Sequence, residues 1–344
     1  MEGLEVINAK KDLDTIRSVQ GSSPSWIQDH PEYISWKESQ THQNLWISGN
    51  PGMGKTKIAI STVDDLNSVA NLDRTRDDSP AFAYFFCDEQ DRDRSKAINV
   101  LKTLVWQLLK SKRFLARHFL TDETRSKNAT QKAGTQPTNV FEFHTLAELW
   151  RCLKSALVDP SLGTVYFLVS SLDQIDSQSR KEFLDLITSW QPPDLQDEDG
   201  SAPVIKWIFL SVPRLDIQEI LQDAVRINLD DGSNSANQND ALRKLVAEEV
   251  GKISKKKGYS RSLEYFAKSY ISFRAEGKSN LDWVNLVCLE LEYDTVNYST
   301  IRQHLESLPS DLGPMYDQLS RRVSDENFFI QNFLTVIPFW AWPR

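Results

Sequence analysis

The chain has 344 residues, 40% hydrophobic and 26% charged, an ordinary globular composition with material for about two domains. A formal net charge of −8 argues against a general nucleic-acid surface, and no run combines the length and apolarity of a membrane span. Cys87, Cys152 and Cys288 are far apart in apolar surroundings, so they read as reduced core residues, not as a disulfide or metal framework.

In chain order, "MEGLEVINAKKDLDTIR" lacks the basic and apolar regions of a signal peptide. A cytoplasmic protein is expected, with residues 1–40 as a helical lead-in. Five short runs rich in β-branched and aromatic residues then read as buried parallel strands: "NLWIS" (44–48), "AFAYFFC" (81–87), "TVYFLVS" (164–170), "IKWIFLS" (205–211) and "AVRINL" (224–229). Helical patterns at 55–70, 95–110, 145–158 and 179–190 separate them. This alternation predicts an α/β domain over 41–232 with a doubly wound parallel sheet. The stretches 121–139 and 192–203 read as loops.

Between the first strand and the first of these helices stand Gly49, Asn50, Pro51, Gly52, Met53, Gly54, Lys55 and Thr56, which satisfy GxxxxGK(S/T). The pattern describes a loop whose backbone N–H groups turn inward around a chain of phosphates. Gly52 and Gly54 permit conformations closed to residues with a Cβ and let the main chain approach an anion, while Gly49 ends the strand. Lys55 supplies a point charge for the β and γ phosphates. Thr56 offers its hydroxyl to Mg²⁺, at a helix start whose dipole favours the same anion. ATP or GTP with Mg²⁺ is therefore the expected ligand; the base is not readable from this loop.

A phosphate-loop enzyme also needs an acidic residue at the end of a neighbouring strand. The candidate is "TVYFLVSSLDQID", which offers Asp173, Gln174 and Asp176. After residue 230 the strand signal stops. "DDGSNSANQND" reads as a linker, and the chain to about 303 reads as an all-α helical subdomain over 240–303. The basic cluster "KISKKKGYSRS" (252–262) fits a solvated helix end. Residues 304–344 close on "NFFIQNFLTVIPFWAWPR", the most apolar stretch of the chain. It is expected to take part in protein contacts or self-association.

Taken in order, "SWIQDHPEYISWKES", "LWISGNPGMGKT", "AYFFCDEQDRDRSKAINVLKTLVWQLL", "FLVSSLDQID", "WIFLSVPR" and "LPSDLGPMYDQLSRRV" resemble the NACHT class of STAND NTPases, in particular the fungal modules related to heterokaryon incompatibility and nephrocystin-like proteins. The resemblance implies a nucleotide-dependent signalling switch, with residues 304–344 as the truncated start of a winged-helix-like region. It also exposes departures. Ser170 stands where the family has its first strand-end Asp and Gln174 where it has Glu, leaving Asp173 as the match and as the doubtful metal and catalytic residue. Arg214 lies two residues beyond the family's usual Ser-Arg arginine and is a doubtful γ-phosphate sensor. Among Asp88, Glu89, Asp91, Arg92, Asp93 and Arg94, the residue most similar to a family position is Arg94.

A glutamine can position a water but cannot take its proton, and general-base help is typically worth about 10²- to 10⁴-fold. Weak or absent hydrolysis is therefore expected. The alternative is an active NTPase using Asp173 or Asp176, with Asp173 reaching the metal if "SSL" lies inside the strand. A small-molecule kinase would carry the same loop, but it needs an Arg-rich lid and an acceptor pocket that the sequence does not display.

Overall fold

A computed structural model describes residues 4, 6–20, 24–71, 78–120, 143–191, 203–276, 281–292 and 300–323. The predicted loop 121–139, most of 192–203 and the apolar stretch after 323 lie outside these residues. Close packing divides the chain into two units. One comprises Met1–Ile16, Ile27–Gly49 and Ile58–Ile227; the other comprises Arg17–Trp26, Asn50–Lys57 and the residues from Asn228 onward.

The first unit is built on a five-stranded sheet of β1 (Gln43–Ser48), β2 (Ala81–Phe86), β3 (Val165–Ser170), β4 (Ile205–Ser211) and β5 (Val225–Asn228), in the order β2-β3-β4-β1-β5. β1 pairs with β4, β4 with β3 and β3 with β2, all in parallel. Strands covered on both faces cannot alternate apolar with polar, and accordingly every residue of β2, β3 and β4 is buried. Trp207 stacks on Phe167 with ring centroids 4.3 Å apart and continues onto Phe209 at 5.8 Å. Each such buried side chain contributes roughly 1.5–3 kcal/mol.

The crossovers are helical: α1 (Ala9–Gln20) and α2 (Pro31–Glu38) precede the sheet, and α3 (Lys55–Asn71), α4 (Ala97–Ser111), α5 (Leu146–Leu157), α6 (Ser177–Thr188) and α7 (Leu215–Ile220) run between its strands. Their starts follow from local chemistry. The Thr145 hydroxyl accepts the Glu148 N–H at the head of α5, and the Asp176 carboxylate accepts the Ser179 N–H at the head of α6. One buried cation stands out at the opposite end of β4. The Lys206 ammonium donates to the carbonyl of Trp36, and to that of Lys37 at 3.0 Å, so it closes the last turn of α2. Burial pulls its pKa down to about 8.

The second unit holds α8 (Ser235–Lys257), α9 (Arg261–Ala275), α10 (Leu281–Glu292), α11 (Ile301–Ser307) and α12 (Leu312–Val323). Leu242, Val246, Val250, Ile271, Val284, Val287 and Ile301 are among its core residues. The polar stretch read as a linker corrects that expectation. It forms a short 3-10 turn, Gly232–Asn234, and then the first turns of α8. Polar composition concealed the ordering because the polar groups are used locally. Asp231 accepts the Ser233 N–H, and the buried Gln238 amide donates to the Leu229 carbonyl at 2.6 Å. Gly258, at φ +69°, ends α8 in the left-handed conformation that glycine adopts without strain.

Candidate functional site

The phosphate-loop sequence forms the link between β1 and α3. Gly49 donates its N–H to the carbonyl of Ser211 at 3.3 Å, so the loop leaves the sheet at the carboxyl ends of β1 and β4. Gly52 and Gly54 have φ of +84° and +78°, the left-handed region that residues with a Cβ rarely occupy. The Asn50 carbonyl closes the turn by accepting the Met53 N–H at 3.3 Å and takes the Lys55 ammonium at 2.9 Å. The Asn50 N–H is held by the Asp230 carboxylate, at 3.0 and 3.2 Å. Lys55 and Thr56 open α3. Both glycine conformations, the lysine and the helix start are what a phosphate cradle needs. Thr56 supplies the hard oxygen that Mg²⁺ prefers.

The turn after β3 is built differently. β3 stops at Ser170; Ser171 adopts φ +58°, and Leu172–Gln174 makes a single 3-10 turn. "SSL" is therefore not a strand continuation, and the route that would have carried Asp173 forward within β3 is closed. Asp173 reaches the carboxyl edge by another path, since its Oδ1 accepts the Val212 N–H at 3.0 Å just beyond β4. Ser170, only 1% exposed, buries its Oγ without a hydrogen-bond partner among the described residues. An orphaned buried hydroxyl at the strand end leaves a polar atom suited to a water or to hydrated Mg²⁺. Gln174 turns its side-chain oxygen to the Glu89 N–H at 3.4 Å. Asp176 is committed to the head of α6: burial works against its charge, and the Ser179 hydrogen bonds outweigh it, leaving the carboxyl below its ordinary range.

Arg180, unremarked in the sequence, ties this turn together. It is 2% exposed, donates to the carbonyls of Asp173 at 3.0 Å and Ile175 at 2.6 Å, and pairs with the Asp216 carboxylate. The loops after β3 and β4 are thus fixed to each other by one guanidinium. The only available signal was its place four residues after Asp176, which by itself says nothing about a target. Arg214 is 53% exposed and lies 3.5 Å from Asp216. Arg94 is a structural strut. It donates to the Phe86 carbonyl at 3.2 Å and pairs with Asp12 of α1 at 2.7 Å and Asp88 at 3.4 Å. Among the described residues no group of His, Cys, Asp and Glu side chains has the arrangement of a dedicated metal cage.

A parallel sheet with this strand order, and a glycine loop feeding a helix from β1, defines a P-loop NTPase fold. The family described as Nephrocystin 3, N-terminal, matches residues 22–211, and the chain belongs to that family. Over 328 residues it is 25% identical to vegetative incompatibility protein HET-E-1 of Podospora anserina, covering 93% of this chain and 22% of that protein. It is thus a NACHT-like module spanning about a fifth of that relative's length. Among solved structures it is similar to Aeropyrum pernix ORC2 in ADPNP–ADP complexes, with TM-score 0.41, 10% identity and coverage of 99% of this chain and 83% of that one. A Thermotoga maritima RuvB mutant gives TM-score 0.34 at 8% identity, covering 94% of this chain and 80% of that one. Among the described residues no helix is long and apolar enough to cross a membrane.

Proposed function

We propose that this chain is the nucleotide-binding switch of a NACHT-class signalling protein, binding ATP or GTP with Mg²⁺ and hydrolysing it weakly or not at all. The observation that carries the reading is the loop itself: two glycines at positive φ, followed directly by Lys55 and Thr56 at a helix start. Residues Gly49 to Thr56 hold the phosphates, Lys55 by charge and the loop by backbone N–H groups. Thr56 and the Ser170 hydroxyl suit a metal that keeps several of its waters, and bound Mg²⁺ would offset phosphate charge. Weak turnover follows from Ser170 and Gln174, because neither offers a carboxylate and the Gln174 oxygen already accepts a backbone N–H. The alternative, active hydrolysis, rests on Asp173, which keeps its charge at the sheet edge beside Val212. The match to HET-E-1 supports a part in fungal nonself recognition, with protein partners or self-association through the C-terminal apolar stretch and a cytoplasmic setting.

The test is to identify the nucleotide that the purified protein retains, as di- or triphosphate, and then to measure binding calorimetrically with and without Lys55→Ala. Loss of the loop's cation should weaken triphosphate binding at least tenfold, or about 1.4 kcal/mol. Equal affinity would mean that the loop holds no nucleotide.

A further inference from the structure

The phosphate loop of this chain meets a specific segment of its own packing unit. The Leu281 N–H, at the start of α10, donates to the Gly52 carbonyl at 3.1 Å. The Leu281 side chain lies over Gly54 so closely that a Cβ there would stand 2.2 Å from its Cδ1. Gly54 is thus required twice, for its φ and for this contact. The next residue, Asp282, is the one acid in α10 before Glu290, and it is partly buried. Burial pushes its carboxyl up, and the nearby Lys55 and Lys57 charges draw it back down. Lys57, on the first turn of α3 and 2% exposed, donates to the Gln20 carbonyl. Burial lowers its pKa, against which the charges of Glu249 and Asp282 hold the ammonium form.

We propose that Asp282 is a resident anion of the phosphate loop that disfavours the terminal phosphate of a triphosphate, and that Leu281 and Asp282 must shift when that phosphate arrives. The inference rests on the nucleotide-binding reading above. Its physical basis is a competition for one cation. Lys55 can serve a carboxylate of the same chain or a γ-phosphate, and two anions in one partly buried place repel. A diphosphate places less charge there, so the Asp282 brake acts mainly on the triphosphate. Since Leu281 is hydrogen-bonded to the loop, displacing Asp282 transmits loop occupancy to the start of α10.

The test is calorimetry with Mg–ATP, Mg–GTP and the two diphosphates on the whole chain, Asp282→Asn and Lys55→Ala. Asp282→Asn is expected to tighten triphosphate binding threefold or more and diphosphate binding by less. Unchanged or weaker triphosphate binding in Asp282→Asn, while Lys55→Ala still loses it, overturns the role of Asp282 and leaves the nucleotide-binding reading intact. Full binding by Lys55→Ala overturns both. Hydrogen exchange on the unaltered protein gives a second measure should Asp282→Asn fail to fold. Amides at the start of α10 should exchange faster with bound triphosphate than with diphosphate, and equal or slower exchange rejects the proposal.

Discussion

The loop after β1 and the turn after β3 leave the sheet at its carboxyl ends, yet they differ in what holds them to their pattern. The loop is a backbone device: it needs positive φ at Gly52 and Gly54 and one lysine, and it tolerates Asn50, Pro51 and Met53 at its free positions. The turn is a side-chain device in which one carboxylate binds metal and another activates water, so a single replacement removes a function. Here the first is intact and the second has Ser170 and Gln174, with Asp173 facing the Val212 N–H. The contrast teaches that binding and chemistry can separate on one sheet edge, since they depend on different kinds of groups.

The largest effect should come from restoring the turn. Ser170→Asp with Gln174→Glu is expected to raise single-turnover hydrolysis by roughly ten- to a thousandfold. The Glu can still accept the Glu89 N–H that Gln174 accepts, so the turn is not disturbed on that side. A parent protein that already hydrolyses several nucleotides per minute, and loses that rate on Asp173→Asn, would erase the contrast and assign the chemistry to Asp173.

Next in size is the strut beneath the turn. Arg180→Leu leaves the carbonyls of Asp173 and Ile175 without their donor, and an unsatisfied buried acceptor costs about 1–3 kcal/mol. Denaturant unfolding should report a loss of about 2–3 kcal/mol, while Lys55→Ala, in the loop, should change stability by less than about 1 kcal/mol. Equal losses from both would mean that the turn is no more dependent on side chains than the loop.

The smallest effect is a pH dependence far from both. Lys206 has a folded pKa of about 8, against an ordinary value of 10.5. Between these values the unfolded chain holds the proton and the folded chain does not, so this lysine makes stability rise with pH from about 8 to 10.5. The slope is at most about 1.4 kcal/mol per pH unit. Unfolding curves of the parent and Lys206→Met across that range should diverge by this slope; parallel curves would show that the Trp36 and Lys37 carbonyls keep the ammonium charged.

Much of the sheet was legible because its strands are buried on both faces. "IKWIFLS" matched β4 residue for residue, and the other runs differ from their strands by a residue at an end. The phosphate loop was legible because glycine positions encode φ directly. The segment 230–240 was misread because polar residues that cap turns and helices have the same composition as those that solvate a linker. Arg180 and Asp282 were invisible for a related reason: their partners, Asp216 and the loop lysines, are remote in sequence, and no periodicity records which remote group a charge will meet.

By itself, then, the sequence determined the α/β alternation, the conformational demands at Gly52 and Gly54, and the absence of carboxylates at Ser170 and Gln174, all properties of residue type and short-range spacing. The tertiary structure alone decided that β3 ends at Ser170 and that Asp173 turns to Val212. It also decided that Arg180 locks two loops and that Leu281 bonds the Gly52 carbonyl. Those outcomes depend on which strand lies beside which and on how buried hydrogen-bonding groups find partners across long separations, a competition that only the folded chain resolves.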